Sequence, residues 1–356
     1  MAVSALKDKN EKTKTLEHRK KGDHMQTEIV KMIQVPSADG TIREPGFART
    51  EIMEYARENI LAPWYRKKEW DYYLFTNENF ALAFTISDLG YIGLLSASFI
   101  DLKTATEHTE SELVLLPRGK KFGLGKRVAD ANAECHTRRL DMSFQNAGDH
   151  RHISCNFRNF DRHKDLLCEL DVYEPEMEAM YIATPWAEKK TAFYYNCKRN
   201  CLEAEGVVSY GDRKEYVDRK TTLGCLDWGR GVWTYDNTWY WGTGSGRLSG
   251  EPFGFNLGYG FSDRSSASEN CLYYKGKIHK LNEVTFEIPG DSEGKFRFTD
   301  PWKITSDDGR FEADFVPILD RAAEMNYQVI ISSQHQVFGK MTGTAITDEG
   351  EKLSFT

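Results

Sequence analysis

Short segments with the two-residue alternation of β-strands recur along this chain at spacings of about eight to twelve residues. The alternation is densest between Gly224 and Leu257, where half of the chain's eight tryptophans lie. At the period of a strand, four aromatic residues share one face: Trp233, Tyr235, Trp239 and Trp241. Asp236–Asn237 between them is a turn signal, so the segment is predicted to form a β-hairpin with an aromatic face.

The following segment has one bulky face and one nearly bare face. Aromatic residues and one leucine alternate with glycine from Phe253 to Phe261, and Asn256 is the one polar side chain on the glycine face. Glycines in a strand leave space either for a close neighbouring strand or for a ligand. The sequence leaves both possibilities open.

The remaining pattern favours an all-β fold built as antiparallel barrels or sandwiches with a few short helices. One short helix is predicted over Thr50–Asn59, where a capping threonine precedes apolar residues at helical spacing. Pro175 and the acidic run up to Glu178 give the best boundary signal. The predicted division is therefore a mobile leader over residues 1–24, a β domain over 25–175 and a second β domain over 176–356.

Composition supports this fold class and narrows the function. Aromatic residues make up 13% of the 356 residues, and 28 glycines stand against 10 prolines, which favours strands over helices. The net charge of -7 argues against a nucleic-acid partner, and no apolar run reaches the roughly 18 residues of a membrane helix. Seven cysteines without a Cys-x-x-Cys pair indicate reduced thiols and a cytoplasmic location.

Five polar residues in or beside the aromatic strands are the candidates for chemistry: Asp227, Arg230, Asn256, Glu269 and His335. Asp227 in a desolvated pocket would have a raised pKa and could donate a proton, whereas beside Arg230 it would stay ionised in a structural salt bridge. Both interpretations stay open. Glu269 is either a catalytic carboxylate or a loop anchor, and His335 is either a base or an exposed strand residue.

The sequence lacks the motifs that are typical of several other reaction classes. The sequence has no nucleophile elbow, dinucleotide-binding turn or P-loop, and the Lys/Gly-rich loop Arg118–Arg127 lacks the order of a phosphate cradle. Four histidines between His136 and His163 do not have the spacing of a zinc site. We therefore predict no metal and no organic cofactor.

The aromatic segment also belongs to a series of motifs that is similar to a known family. In order, the chain reads LDWGRGVW, TWYWGTGSG, GFNLGYG, SEN, YYKGKIHKL and QHQVFGKMTG between Leu226 and Gly343. This series resembles the bacterial family of domain of unknown function 2804, from roughly Pro45 to the C-terminus. More remotely it is similar to lipocalin-like proteins that include carotenoid hydratases, tocopherol cyclases and a fungal lipid-trafficking survival factor. The resemblance implies two lipocalin-like (calycin-type) β-barrels and a hydrophobic small molecule held in or between them.

Together these observations predict that the protein binds a lipid, an isoprenoid or a polycyclic compound in an aromatic pocket. Tryptophan faces beside an acid suit hydration, isomerisation or cyclisation, because the rings stabilise a forming carbocation. Two alternatives stay open: a non-catalytic lipid carrier, and a carbohydrate-active protein with tryptophan platforms. The assembly state is not indicated. The predicted catalytic groups are Asp227, Glu269 and Arg230, and the predicted ligand contacts are Trp228, Trp233, Trp239, Trp241, Asn256, Tyr259 and His335.

Overall fold

The computed structural model describes residues 2–6, 26–326 and 331–356. Within these ranges the regular elements are β-strands and two short 3-10 turns, Arg57–Asn59 and Trp64–Arg66. No helix among the described residues has the length and apolar character needed to cross a membrane. The predicted all-β class is confirmed. The predicted helix over Thr50–Asn59 is wrong, because Met53–Tyr55 form a strand whose two end residues are buried.

The described residues form twenty-five strands, and the pairs between them are antiparallel except for β2 with β4. The first thirteen are β1 (Ala2–Leu6), β2 (Ile33–Val35), β3 (Gly46–Ala48), β4 (Met53–Tyr55), β5 (Lys67–Thr76), β6 (Phe80–Asp88), β7 (Ile92–Asp101), β8 (Thr106–Leu115), β9 (Ala133–His136), β10 (Leu140–Asn146), β11 (Arg151–Asp161), β12 (Lys164–Tyr173) and β13 (Met180–Pro185). The others are β14 (Phe193–Tyr210), β15 (Arg213–Val217), β16 (Leu223–Val232), β17 (Tyr240–Leu248), β18 (Glu251–Tyr259), β19 (Cys271–Tyr274), β20 (Lys277–Lys280), β21 (Val284–Glu287), β22 (Trp302–Ser306), β23 (Phe311–Asn326), β24 (Ile331–Ile346) and β25 (Lys352–Phe355).

Thirteen strands form the first sheet, which runs in the order β8, β7, β6, β5, β16, β14, β12, β11, β10, β9, with β3, β13 and β15 off this path. The sheet curls so that its two sides approach each other, and Nε2 of His108 in β8 lies 2.7 Å from the carbonyl oxygen of Phe160 in β11. Alternate side chains such as Ile153, Cys155 and Phe157 are buried in the enclosed core. The curled sheet therefore surrounds a packed interior.

The second sheet has ten strands in the order β20, β19, β18, β17, β1, β24, β23, β22, β21, with β25 paired to β24. Its outer strands β20 and β21 are joined by only residues 281–283, so the two sides of the sheet must come together. Phe255, Phe311 and Phe355 contact one another in its interior. This sheet also curls around a core of its own.

The predicted aromatic hairpin is wrong, because β16 and β17 belong to different sheets. β16 pairs on one side with β14 and on the other with β5, whereas β17 pairs with β18 and β1. β16 is buried on both faces, since its nine residues other than Asp227 are all buried. Such a strand needs a hydrogen-bonded neighbour on each side. Residues 233–239 are instead the crossing from the first sheet to the second.

The change of sheet comes later in the chain than the predicted domain boundary. That boundary, between residues 175 and 176, lies between β12 and β13, and both of these strands are in the first sheet. Of the predicted leader, Ala2–Leu6 form β1, which pairs with β17 and β24 in the second sheet. Residues 7–24 of the leader lie outside the described residues.

The two sheets pack against each other in a layer that we call the seam. In it, the outward faces of β14 and β16 meet side chains of β17, β18 and β24. Cys225, Trp241 and Phe338 share one apolar cluster of this layer, and Tyr194 and Cys271 share another. The amide of Asn200 in β14 donates to Thr243 Oγ1 and to the carbonyl oxygen of Phe255, at 2.8 and 2.9 Å. The seam is therefore joined by both apolar and polar contacts.

Candidate functional site

A buried lysine lies at the centre of the seam. Lys198 is in β14 directly opposite Asp227 in β16, and its side chain is only 3% exposed. Its Nζ lies 2.6 Å from Asp227 Oδ2 and 3.7 Å from Glu269 Oε2. The two carboxylates predicted from the sequence are therefore brought together, through a lysine that the sequence analysis did not single out.

Asp227 is the member of this cluster that solvent reaches most. Its side chain is 16% exposed, against 3% for Glu269. Besides Lys198, its carboxylate accepts hydrogen bonds from Asn196 Nδ2 at 2.7 Å and from Trp70 Nε1 at 3.1 Å. Three donors thus fix the orientation of the Asp227 carboxylate.

Glu269 lies just before β19 and is held from the other side of the cluster. Burial raises the pKa of Glu269, the ammonium of Lys198 opposes the shift, and Asp227 adds to it. Tyr194 contributes its hydroxyl at 2.9 Å from Glu269 Oε2. Burial and the carboxylate of Glu269 hold the pKa of Tyr194 well above its ordinary value, so its proton stays in place. Burial therefore favours the protonated form of Glu269.

Lys198 itself stays charged. Burial alone would lower the pKa of Lys198, but the carboxylates of Asp227 and Glu269 outweigh it and leave the pKa above its usual value. Its Nζ also lies 4.9 Å from the centre of the Trp241 ring, which adds a cation–π contact. The cluster thus holds one permanent positive charge between two carboxyl groups.

Tryptophan rings lie beside this cluster. We call Trp70, Trp233, Trp239 and Trp241 the tryptophan wall. Trp233 meets Trp70 and Trp239 edge to face, with ring centres 5.7 and 5.5 Å apart, and stacks on Phe261 at 5.9 Å. Trp70, Trp233 and Trp239 are each only partly buried. The wall therefore combines close ring packing with indole surface that is still accessible.

The packing of the indole rings limits the space for the predicted pocket. A cavity of about 410 Å³ lies away from the tryptophan wall, between Arg49, Glu178 and Arg199, and a space of only about 10 Å³ lies beside Cys225. Neither of these two cavities is lined by the wall. The indoles fill much of the space that the sequence analysis assigned to a ligand, so a ligand has to lie on their accessible faces or displace a ring.

Some polar atoms in the seam cluster are left without partners. Among the described residues, Asn196 Oδ1, Glu269 Oε1 and Trp233 Nε1 are buried and make no hydrogen bond. A buried polar group without a partner costs roughly 1–3 kcal/mol, so three in one cluster are unusual for a purely structural core.

Of the two interpretations that the sequence left open for Asp227, the salt bridge with Arg230 is wrong. The two residues are three positions apart in β16 and therefore point to opposite faces of the sheet. Arg230 is completely buried inside the first sheet, where its Nη1 lies 3.0 Å from Asp71 Oδ1 and donates to the carbonyl oxygen of Trp70 at 2.8 Å. Its guanidinium covers the Trp228 ring at 3.9 Å. Arg230 and Trp228 therefore belong to the first core rather than to the seam.

A double-mutant cycle measures this separation. In urea unfolding, Arg230→Met and Asp227→Asn should give a coupling energy below about 0.5 kcal/mol. Arg230→Met with Asp71→Asn should instead couple by roughly 1–3 kcal/mol, because these two charges are paired and buried. A larger coupling with Asp227 than with Asp71 would contradict the assignment.

The other predicted ligand contacts are divided between two faces of the second sheet. Asn256 faces the seam, where its Oδ1 accepts from Trp241 Nε1 at 2.8 Å and its Nδ2 donates to the carbonyl oxygen of Glu269 at 3.0 Å. Tyr259 and His335 face the interior of the second sheet, where Tyr259 stacks on Tyr240 at 4.6 Å. These two residues are therefore separate from the Lys198 cluster.

The bare glycine face of β18 meets protein atoms at two of its glycines. A Cβ atom on Gly258 would lie 1.8 Å from Glu269 Oε1, and one on Gly254 would lie 2.9 Å from Cys201 Sγ. Of the two possibilities left open by the sequence, a close neighbouring segment is therefore correct at these positions.

The polar face of β14 was not predicted from the sequence. Tyr194, Asn196 and Lys198 alternate along this strand and all point into the seam, where they contact Asp227 or Glu269. These three polar residues occupy alternate positions and so share one face of an otherwise buried strand. This pattern could have identified the site from the sequence, because a lysine in such a position needs a carboxylate partner.

The fold and the site define an all-β protein in which two curled antiparallel sheets hold a buried lysine and two carboxyl groups beside a wall of tryptophans. The chain belongs to the DUF2804 family, a domain of unknown function, whose family model matches residues 26–356. No curated protein matches the chain.

Three solved structures are similar in fold. A crystal structure described as AttH from Nitrosomonas europaea has a TM-score of 0.46 and 10% identity, covering 78% of this chain and 93% of its own. Kievitone hydratase from Nectria haematococca has a TM-score of 0.45 and 11% identity, with coverages of 76% and 87%. CghA has a TM-score of 0.44 and 10% identity, with coverages of 81% and 85%.

Proposed function

We propose that the protein binds a hydrophobic small molecule at the tryptophan wall and moves a proton on it through the cluster of Asp227, Lys198 and Glu269. The observation that carries this proposal is the buried ammonium of Lys198, shared by two carboxyl groups at the edge of accessible indole surface. Flat apolar walls with a few polar groups that converge on one point are typical of small-molecule sites.

Stability alone gives little reason for such a cluster. Replacing a buried ion pair with apolar residues of similar volume is often neutral or stabilising, so burying three ionisable groups in the seam needs another explanation. Shifted pKa values and unpartnered polar atoms occur together here, and such groups concentrate at functional sites. An acid/base function accounts for both features.

The residues of the cluster have different roles in the proposed reaction. Burial raises the pKa of Glu269 and so favours its protonated form, and Glu269 therefore serves as the acid in the proposed reaction. The Tyr194 hydroxyl contacts Glu269 and packs against Trp233. It turns toward the wall and gives its proton to the ligand as it takes the proton of Glu269, so the phenol stays neutral throughout. In a hydration, an alkene carbon takes this proton, water adds to the resulting cation, and Asp227 accepts the proton that the water loses. The indole faces stabilise the cation while it lasts.

Isomerisation and cyclisation require the same acid, the same base and the same indole faces. In both, a proton is added at one carbon and another is removed elsewhere on the same molecule, so no water is incorporated. The chemistry needs only side chains, and the choice among the three reactions depends on the bound compound.

A carrier without catalysis is the second candidate. It is favoured by the ion pair at 2.6 Å, because the Lys198 ammonium already occupies the Asp227 carboxylate in a structural contact. A carbohydrate-active site is not favoured, because Glu269 is buried and both carboxylates contact one ammonium instead of flanking an open groove.

The test begins with the natural ligand. Native mass spectrometry of the protein purified from its host identifies the bound compound, which is then incubated with the wild type and with Asp227→Asn. We expect the wild type to convert it and Asp227→Asn to be slower by about 100-fold or more, because general acid–base catalysis contributes about 10²–10⁴-fold. Asp236→Asn, an exposed aspartate in the crossing segment, is the matched control and should keep full activity.

The two candidate functions give opposite results in this experiment. Release of the bound compound unchanged by the wild type would support the carrier. Conversion at equal rates by the wild type and by Asp227→Asn would show that catalysis lies elsewhere.

A further inference from the structure

A second pair of titratable side chains lies on the other face of the second sheet. His335 in β24 points into the interior of this sheet, and its Nδ1 lies 2.7 Å from Asp320 Oδ2 in β23. The ring of Phe298 stacks on the imidazole at 3.9 Å, with 16° between the planes. A carboxylate at Nδ1 requires a proton on that nitrogen, so the lone pair of the neutral ring is on Nε2.

The Nε2 atom of His335 is not used by the pairing with Asp320. Nε2 has no hydrogen-bond partner among the described residues. It is also not one of the buried polar atoms of these residues that lack a hydrogen bond. The His335 side chain is 23% exposed and that of Asp320 is 17% exposed, so solvent reaches the pair. The imidazole is thus held at one edge by Asp320 and on one face by Phe298, with an acceptor left open.

Aromatic side chains lie at the same height of the sheet interior. Ala5 in β1 pairs with His335 on one side and with Tyr240 on the other, which places these two residues about 10 Å apart across β1. Tyr240 stacks on Tyr259. Tyr240, Tyr259 and Phe298 are only partly buried, whereas the phenylalanines farther along the interior are closely packed. This end of the interior therefore presents accessible aromatic surface around one acceptor.

This location is distinct from the seam. Neighbouring residues along a strand point to opposite faces, and Gln336 and Trp241 face the seam, whereas His335 and Tyr240 face the interior. A backbone layer therefore separates His335 from the Lys198 cluster.

We infer that this end of the second sheet is a separate binding site for an aromatic or enolic compound that carries a hydroxyl group. The hydroxyl donates its hydrogen bond to His335 Nε2, and the ring of the compound lies against Phe298, Tyr240 and Tyr259. Asp320 acts as a positioning residue, because it fixes the tautomer that leaves Nε2 as the acceptor.

A pair of matched probes tests the site in the full chain. Fluorescence titration with 2-naphthol and with 2-methoxynaphthalene compares two aromatic compounds that differ in the hydrogen-bond donor. We expect the wild type to prefer 2-naphthol by roughly five- to tenfold, which is the usual contribution of one hydrogen bond. His335→Phe should remove the preference. The control is His136→Phe, because His136 also pairs with an aspartate, at 3.1 Å from Asp141, but lies exposed on β9.

Two results would overturn the inference. One is equal affinity of the wild type for the two probes, and the other is a preference for 2-naphthol that survives in His335→Phe. A nitrogen-15 spectrum of the wild-type histidines makes the test independent of whether the variant folds. His335 should show the tautomer with its proton on Nδ1, and its Nε2 signal should move when 2-naphthol is added. The opposite tautomer, or an unmoved signal at saturation, would refute the site.

Discussion

Lys198→Met is expected to destabilise the fold by about 3–5 kcal/mol, because it leaves Asp227 and Glu269 buried together without their shared counter-charge. Methionine keeps most of the volume of the side chain, so the loss reports the charge and not a cavity. Urea unfolding of the full chain measures the change in the free energy of unfolding. Lys220→Met is the control, since Lys220 is an exposed lysine and its replacement should leave this free energy unchanged.

The pH dependence of this loss has a definite sign. The pKa of Glu269 is raised above its ordinary value of 4.5, mainly by burial. A carboxyl group with a raised pKa binds a proton on folding, so its contribution weakens as the pH rises from the ordinary value through the raised one. Without Lys198, the neighbour that lowers this pKa is gone and the pKa of Glu269 rises further. The pH range over which Glu269 loses its proton in the folded protein therefore extends upward. The deficit of Lys198→Met relative to the wild type should therefore grow as the pH rises above the ordinary value of 4.5.

Neutralising the carboxyl groups should reverse the loss. In the triple variant Lys198→Met, Asp227→Asn and Glu269→Gln, no charge is left unpaired, and most of the free energy of unfolding should return. A Lys198→Met protein that is as stable as the wild type, or whose deficit shrinks as the pH rises, would contradict the proposed charge balance of the seam.

The fold class was predictable from the sequence because the strand signal is local. Two-residue alternation and turn residues are properties of neighbouring positions, and they indicated an all-β chain. The sheet to which each strand belongs is a matter of long-range pairing. Asp236–Asn237 carries a turn signal, yet β16 pairs with β5 about 150 residues earlier in the chain. Local turn chemistry could not reveal that partner, and the predicted hairpin failed for this reason.

The candidate site was also predictable only in part, because the sequence indicated individual residues but not their partners. Asp227 and Glu269 were identified because charged residues stand out in or beside aromatic strands. Asp227 lies three positions from Arg230, and strand geometry places such residues on opposite faces, so proximity in sequence suggested the wrong partner. The true partner, Lys198, is in another strand, and only the register of β14 against β16 brings it opposite Asp227.

Gly258→Ala is expected to disturb the candidate site more than any other change of a single methyl group in β18. The added Cβ would lie 1.8 Å from Glu269 Oε1, 2.7 Å from its Cδ and 2.9 Å from its Cγ, so the whole glutamate side chain would have to move. That side chain is buried and is held by Tyr194 and Lys198, which leaves it little freedom to do so. We expect a loss of about 2–3 kcal/mol in the free energy of unfolding, typical of overpacking in a core.

Two further variants show whether the effect comes from the carboxyl group. Gly246→Ala in the neighbouring strand β17 is the matched control, because a Cβ there has no atom within 4 Å and should be tolerated. Combining Gly258→Ala with Glu269→Ala removes the clashing atoms, so the double variant should be more stable than Gly258→Ala alone. If the double variant is less stable instead, Gly258 is needed for the backbone of β18 and not for the position of Glu269. If it is more stable, the glycine is what allows a buried carboxyl group to approach Lys198, and the bare face of β18 exists to admit that carboxyl.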